Sequence, residues 1–446
     1  MFGNIMQYKK INLYLCLNSN IFTMKNILSF FILFISVTGF AQEYDTYFIN
    51  KTLRVDYTFA GNAREQHVFL DKLNELPQWA GRKHNLSGSF LDGNGQIKMY
   101  DIQSGECIYK TPFSSLFQEW VTTDEAKETS KSFENVYLLP FPKHKTRIEV
   151  SFRNRQGKYD TKLSHIVDPD DILIQKKGYD NVTSHTLMHS ARKENAINVV
   201  IVAEGFTETE MPVFRKYAQK TIEHTFLHEP FGKYKDSFNF YVVESVSEES
   251  GVSVPREGLW KNTSVHSHFD TFYSNRYLTT SRVKDLHDIL AGIPYEHIII
   301  LANTDVYGGG GILNSYTLTT TGHSNFKPVV VHEFGHSFAG LADEYFYEND
   351  TFDDTYPLDV EPWEHNVTTL VNFDSKWKSM LSPQTPIPTP ITDSGKYKVG
   401  VYEGAAYSFK GIYRGNVDCR MKTNTARRFC PVCQSAIENL ILFYTE

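Results

Sequence analysis

The chain has 446 residues, 41% hydrophobic and 14% aromatic, enough to build buried cores in about two domains. A formal net charge of -7, with no clustered Lys/Arg run to reverse it locally, excludes an electrostatic footprint for nucleic acid. The composition is that of a globular protein.

At the N-terminus, Met24-Lys25-Asn26 precedes an apolar stretch from Ile27 to Phe40, and Gly39-Phe40-Ala41 puts small residues where a signal peptidase reads. This predicts a signal peptide: translation from Met24, cleavage after Ala41, and residues 1–41 as leader. The apolar run is shorter than the roughly 20 residues a transmembrane helix needs, so no membrane span is expected. The expected address is secreted, periplasmic or cell surface.

Residues 42–167 carry short alternating segments, such as Leu53, Val55, Tyr57, Phe59 and later Ile148, Val150, Phe152, broken by turn-rich stretches like Asp92-Gly93-Asn94-Gly95. They read as a β-rich domain. The polar stretch 168–195 reads as a connection, and a second domain over 196–446 follows. Its first run, Ile197 to Ala203, is continuous and β-branched, while Met211, Phe214, Ala218, Ile222 and Phe226 recur at helical spacing. Apolar runs at Phe238 to Val243 and His297 to Leu301 alternate with a helix-like segment from Ser281 to Leu290, predicting an α/β sheet with packed helices.

Of five cysteines, Cys16 lies in the leader, Cys107 stands alone, and Cys419, Cys430 and Cys433 cluster near the C-terminus. In an exported chain this predicts a structural disulfide from Cys419 to Cys430 or Cys433. Against the alternatives for the C-x-x-C of Cys430 to Cys433, a redox pair or half a zinc site, no second pair exists and no thioredoxin-like context surrounds it.

The segment Pro328 to Gly340 contains His332-Glu333-Phe334-Gly335-His336, the H-E-x-x-H pattern. Residues four apart on a helix share a face, so both imidazoles can reach one zinc ion. Glu333, about 100° round the helix, is placed as general base toward a zinc-activated water. Pro328 suits a first helical turn and Gly340 a stop. Gly335-His336-Ser337-Phe338-Ala339 also resembles a nucleophile elbow, which would make Ser337 the nucleophile of a serine hydrolase. However, Ala339 replaces the second glycine, and His365, the only later histidine, follows too closely for that triad order. For the third zinc ligand, Asp343 stands three residues past Gly340, the step many metzincin-type metallopeptidases use. Gly340 itself lies one residue later than in that pattern, so Glu344 is the rival and Glu361 or Glu364 more distant choices.

The run His332 to Tyr345 resembles the bacterial IgA-specific metalloendopeptidase family. Ile197 to Phe206 is similar to that family's opening catalytic strand, Gly308 to Thr321 to its glycine-rich stretch, and Cys419-Arg420-Met421 with Phe429-Cys430-Pro431-Val432-Cys433 to its C-terminal block. The resemblance implies an α/β (α+β) zincin- or metzincin-like catalytic domain preceded by a β-sandwich-like N-terminal domain. It implies one catalytic zinc on His332, His336 and Asp343, Glu333 as base, and Met421 as the methionine of a supporting turn. Some metzincins place a tyrosine two residues past that methionine; here Thr423 stands there, leaving Tyr402 or Tyr407 as candidates.

The function expected is a secreted zinc endopeptidase acting on extracellular protein or glycoprotein. The other-class alternative is a non-catalytic, zinc-containing surface protein that binds glycoprotein, against which the intact Glu333 argues. Nothing in these residues specifies immunoglobulin A. The segment Ile312 to Thr319 is expected to form an edge strand that pairs with substrate, Asn314 and Tyr316 contributing. The acidic run Asp343 to Asp354 offers oxygen ligands for calcium but lacks the spacing of a recognised loop.

Overall fold

A computed structural model of the protein describes residues 44–347 and 356–446. The expected leader, with Met24 and Ala41, falls outside the described residues, as do residues 348–354 of the acidic run considered for calcium. Among the described residues no helix is long and apolar enough to cross a membrane.

The alternating positions of the first half become the core of two facing sheets. Leu53, Val55, Tyr57 and Phe59 lie on β1 (Phe48–Gly61) and are fully buried, as are Ile148 and Val150 of β6 (Thr146–Arg153). Period two sends these side chains to one face of each strand. β1 sits between β5 (Lys131–Pro142) and β2 (Gln66–Leu76), with β8 (Gln175–Lys176) outside β2. β6 lies between β3 (Gly95–Asp101) and β7 (Tyr159–Val167), and β4 (Cys107–Phe113) completes that sheet. The two sheets share one apolar core, to which the short helix Leu116–Trp120 adds Phe117 and Trp120.

The second half is built on a six-stranded sheet in the order β13-β14-β12-β10-β11-β9. β10 (Ile197–Glu204), β11 (Phe238–Val243), β12 (His297–Ala302) and β14 (Tyr316–Thr320) run parallel; β9 (His185–His189) and β13 (Gly309–Ile312) are antiparallel edges. Continuous apolar runs fit strands covered on both faces. Val199, Ile201 and Ala203 enter one core with helices α1 (Met211–Phe226), α3 (Phe326–Ala339) and α4 (Pro431–Thr445), while Val200 and Val202 enter another with α2 (Val283–Ile289). A small sheet of β15 (Val367–Thr368), β17 (Ser408–Arg414) and β16 (Tyr402–Ala405) stands apart.

The stretch 168–195 gives a strand to each half, β8 to the first and β9 to the central sheet. The halves also meet through Arg54, fully buried, which pairs with Asp56 at 2.7 Å and with Asp288 of α2 at 2.5 Å. Burying a guanidinium is costly unless such partners are present.

Candidate metal centre

Helix α3 carries His332, Glu333 and His336 and ends at Gly340, whose φ of 57° is left-handed. The N–H groups of Gly340 and Leu341 bond to the carbonyls of His336 (3.0 Å) and Gly335 (3.2 Å), closing the last turn in the manner of a glycine cap. Beyond the cap the chain runs without helix through Tyr345, and the neighbours Asp343 and Glu344 join different clusters.

Asp343 turns back to the helix. Its Oδ1 lies 3.1 Å from His332 Nε2 and 3.3 Å from His336 Nε2, and the two Nε2 atoms are 3.1 Å apart. The other ring nitrogens are engaged: His332 Nδ1 meets the Arg420 carbonyl at 3.0 Å and His336 Nδ1 the Leu341 carbonyl at 2.5 Å. A carbonyl only accepts, so each Nδ1 carries the proton, which aims the Nε2 lone pairs at the shared point in the neutral rings. Asp343 is buried and its Oδ1 has no hydrogen-bond donor. Burial alone would raise its carboxyl, but the imidazoles outweigh it and hold Asp343 well below the usual range. Burial would lower His336, yet Asp343 raises it to about 9. Two imidazole nitrogens plus one carboxylate oxygen without a hydrogen-bond donor are a donor set that suits a divalent metal.

Four neighbours hold the arrangement. Tyr407 donates its hydroxyl to Asp343 Oδ2 at 2.5 Å. It sits at the two-residue tip of the β16–β17 hairpin, where Ala406 and Tyr407 both have positive φ, 50° and 67°. That turn favours glycine or asparagine, and holding other residues there costs about 1 kcal/mol or more each. The strain is offset where the tip docks: Ala406 N–H bonds to Asp343 O at 2.9 Å and Tyr407 N–H to Tyr345 O at 3.0 Å. Met421 is fully buried under the helix, and a Cβ on Gly335 would lie 2.8 Å from its Sδ. Gly309 and Gly311 let β13 pass α3: a Cβ at Gly311 would meet the Glu333 carbonyl at 2.2 Å, and one at Gly309 the Glu333 Oε1 at 3.0 Å. Burial raises the Glu333 carboxyl, with the imidazoles opposing.

Glu119, from the first half of the chain, is a site neighbour that the sequence did not single out. Burial raises it to about 7, with Tyr277 as its hydrogen-bond donor, and it senses the charges of His336, Glu333 and Asp343.

Other expected site residues lie elsewhere. Glu344 turns away from the imidazoles and joins Cys419, Cys430 and Cys433. The expected disulfide is not formed: Cys419 and Cys433 Sγ atoms are 3.7 Å apart, against about 2.05 Å for a bond. The edge-strand expectation also needs correcting, because β14 is internal and β13 is the edge. Gly309 N–H already bonds to Arg276 O, and Leu313 O accepts from Ser114 N–H. Asn314 donates to Pro112 O at 2.9 Å, and Tyr316 is buried with its hydroxyl on Thr280 O. Ser337 lies inside α3, buried and 2.5 Å from the Thr317 hydroxyl, and Val329 to Val331 are helical. No strand leads into an elbow, and the serine-hydrolase reading falls. His365 stacks on Phe90, Glu364 accepts from Tyr356, and Glu361 accepts from Thr369 and Asn372, all apart from the imidazole pair.

A helix-borne histidine pair, an adjacent carboxylate and a buried acidic third donor form the type of centre found in metallopeptidases. The model of the IgA peptidase M64 family matches residues 186–397 and 392–441, and that of the peptidase M64 N-terminus matches residues 43–164. The chain belongs to the IgA peptidase M64 family, a family of peptidases acting on protein substrates. No curated protein matches it.

Proposed function

We propose that the chain is an exported zinc-dependent endopeptidase, with a metzincin-like catalytic domain, that hydrolyses peptide bonds of extracellular protein or glycoprotein. The observation that carries this reading is the convergence of His332 and His336 Nε2 on Asp343 Oδ1, with both Nδ1 atoms tied to carbonyls. Three protein donors leave one position of a tetrahedral ion open, the ligand count of catalytic zinc. When bound, zinc supplies Lewis acidity for the scissile carbonyl and lowers the pKa of water to about 7.

The chain's own groups do the rest. Glu333, with its carboxyl raised by burial, accepts a proton from the attacking water and returns it to the departing amine nitrogen. Asp343 supplies the negative charge that retains the cation, and Tyr407 fixes which oxygen faces it. The antiparallel edge strand β13 beside α3, and Met421 beneath Gly335, support the metzincin-like reading. The apolar segment ahead of Ala41 supports export.

The test is Glu333→Gln, assayed on casein. The variant keeps the metal content and melting temperature of the unsubstituted chain, while kcat/KM falls by about 10²- to 10⁴-fold. Turnover at the original rate removes Glu333 as the base.

A further inference from the structure

Past the helix that carries the histidine pair, the chain builds a second set of convergent metal donors. Glu344, Cys419, Cys430 and Cys433 each offer an atom, and all four atoms lie within 4.8 Å of one another. Cys433 Sγ is 3.0 Å and Cys430 Sγ 3.8 Å from Glu344 Oε1, and Cys419 Sγ is 3.7 Å from Cys433 Sγ. A tetrahedral ion with Zn–S bonds of 2.3 Å puts neighbouring sulfurs about 3.8 Å apart. The observed spacing matches that edge and not a disulfide.

The set is enclosed by protein. Glu344, Cys419 and Cys433 have no solvent exposure and Cys430 has 2%. Glu344 Oε2 is buried with no hydrogen-bond partner, while Oε1 accepts from Asn366 at 3.1 Å. Cys430 N–H donates to Cys419 Sγ at 3.1 Å. Cys430 is the N-cap residue of α4 and Cys433 stands in its first turn, where the positive end of a 15-residue helix favours anionic sulfur. The buried Arg414 guanidinium interacts electrostatically with Glu344, Cys419 and Cys430. Four convergent buried donors, one carboxylate oxygen among them unpartnered, form a set that fits a cation.

We propose that Glu344, Cys419, Cys430 and Cys433 form a second, closed metal site that takes a zinc-class divalent ion and staples the loop carrying Asp343 to the C-terminal block. As each Zn–S bond forms, the thiol proton passes to solvent, with no change of oxidation state. The staple is short in sequence terms: Glu344 follows Asp343, and its N–H bonds to Met421 O at 2.8 Å. Arg420, next to Cys419, supplies the carbonyl that orients His332. The site is distinct from the open centre and does not depend on that centre being catalytic.

The full chain, purified without chelator, is expected to hold about two zinc ions, one per four-coordinate site. In the double variant His332→Ala/His336→Ala one ion remains. Exchanged with cobalt, it gives the intense near-ultraviolet thiolate-to-cobalt band that a nitrogen and oxygen site lacks. Cys430→Ser/Cys433→Ser loses that band and one ion. Should the cysteine variant fail to fold, the cobalt spectrum of the unsubstituted chain and of the double-histidine variant still decides. A double-histidine variant without metal, or without the thiolate band, overturns the proposal. So does alkylation of the denatured, unreduced chain that finds Cys419 bridged to Cys430 or Cys433.

Discussion

Asp343 and Glu344 are neighbours in the chain, yet they join two donor clusters of opposite character. The side chains of His332 and His336 remain 14% and 18% exposed, and their set has three donors. The cysteine set has four donors, and none of its residues is more than 2% exposed. An open set with a spare position suits chemistry, and a closed set suits architecture. One step of non-helical backbone separates them, and their side chains leave toward different clusters.

The largest effect that separates the two is chelation. Brief treatment with a chelator should abolish peptidase activity while about one ion per chain, the closed-site complement, stays bound. The remaining ion should give the thiolate spectrum after cobalt exchange. Loss of both ions together, in step with activity, would break the distinction between an accessible and an enclosed centre.

The next contrast is Asp343→Asn against Glu344→Gln, two changes of one charge at adjacent positions. Asp343→Asn should weaken the open centre for zinc by more than about 100-fold, since it removes ligand charge and not merely an outer partner. Glu344→Gln should leave that affinity within a few-fold and instead lower the melting temperature, as measured by calorimetry at fixed zinc. The reverse pattern would exchange the roles of the two residues.

This pair also marks how far the sequence could be read. The H-E-x-x-H spacing and the alternation of Leu53, Val55, Tyr57 and Phe59 report local periodicity, and the structure has the helix and the buried strand face where those periods put them. Asp343 and Glu344 were rivals because helical spacing ends at Gly340, and only the path after the cap decides which side chain faces which centre. Tyr407 was one of two tyrosines considered. Its hairpin turn carries Ala406 and Tyr407 at positive φ, without the Asn-Gly signal that announces such turns. Glu119 lies more than 200 residues before the helix and reaches the site only because the two halves pack together. The cysteines were read as a disulfide because their fourth partner, Glu344, sits 75 residues upstream of Cys419. The expected substrate strand failed on register: the stretch around Asn314 is the turn that leads back into β14, and the strand at the edge is the glycine run before it.

The smallest effect tests whether the open centre is held as firmly as the closed one. Tyr407→Phe removes the hydroxyl at Asp343 Oδ2 but keeps the ring that packs on Tyr345, with centroids 5.3 Å apart. Loss of an outer hydrogen bond to a metal ligand costs about 10-fold in affinity at the lower end of the usual range. The hairpin tip should stay docked, since Ala406 N–H and Tyr407 N–H bond through the backbone. Zinc affinity measured by competition should therefore fall about 10-fold, with the melting temperature of the zinc-saturated chain nearly unchanged. A merely structural tyrosine would show the opposite: lower melting temperature and unaltered affinity. If affinity is also unchanged in the Phe variant, the backbone bonds of the strained turn alone hold Asp343, and the positioning role passes from the hydroxyl to the hairpin tip.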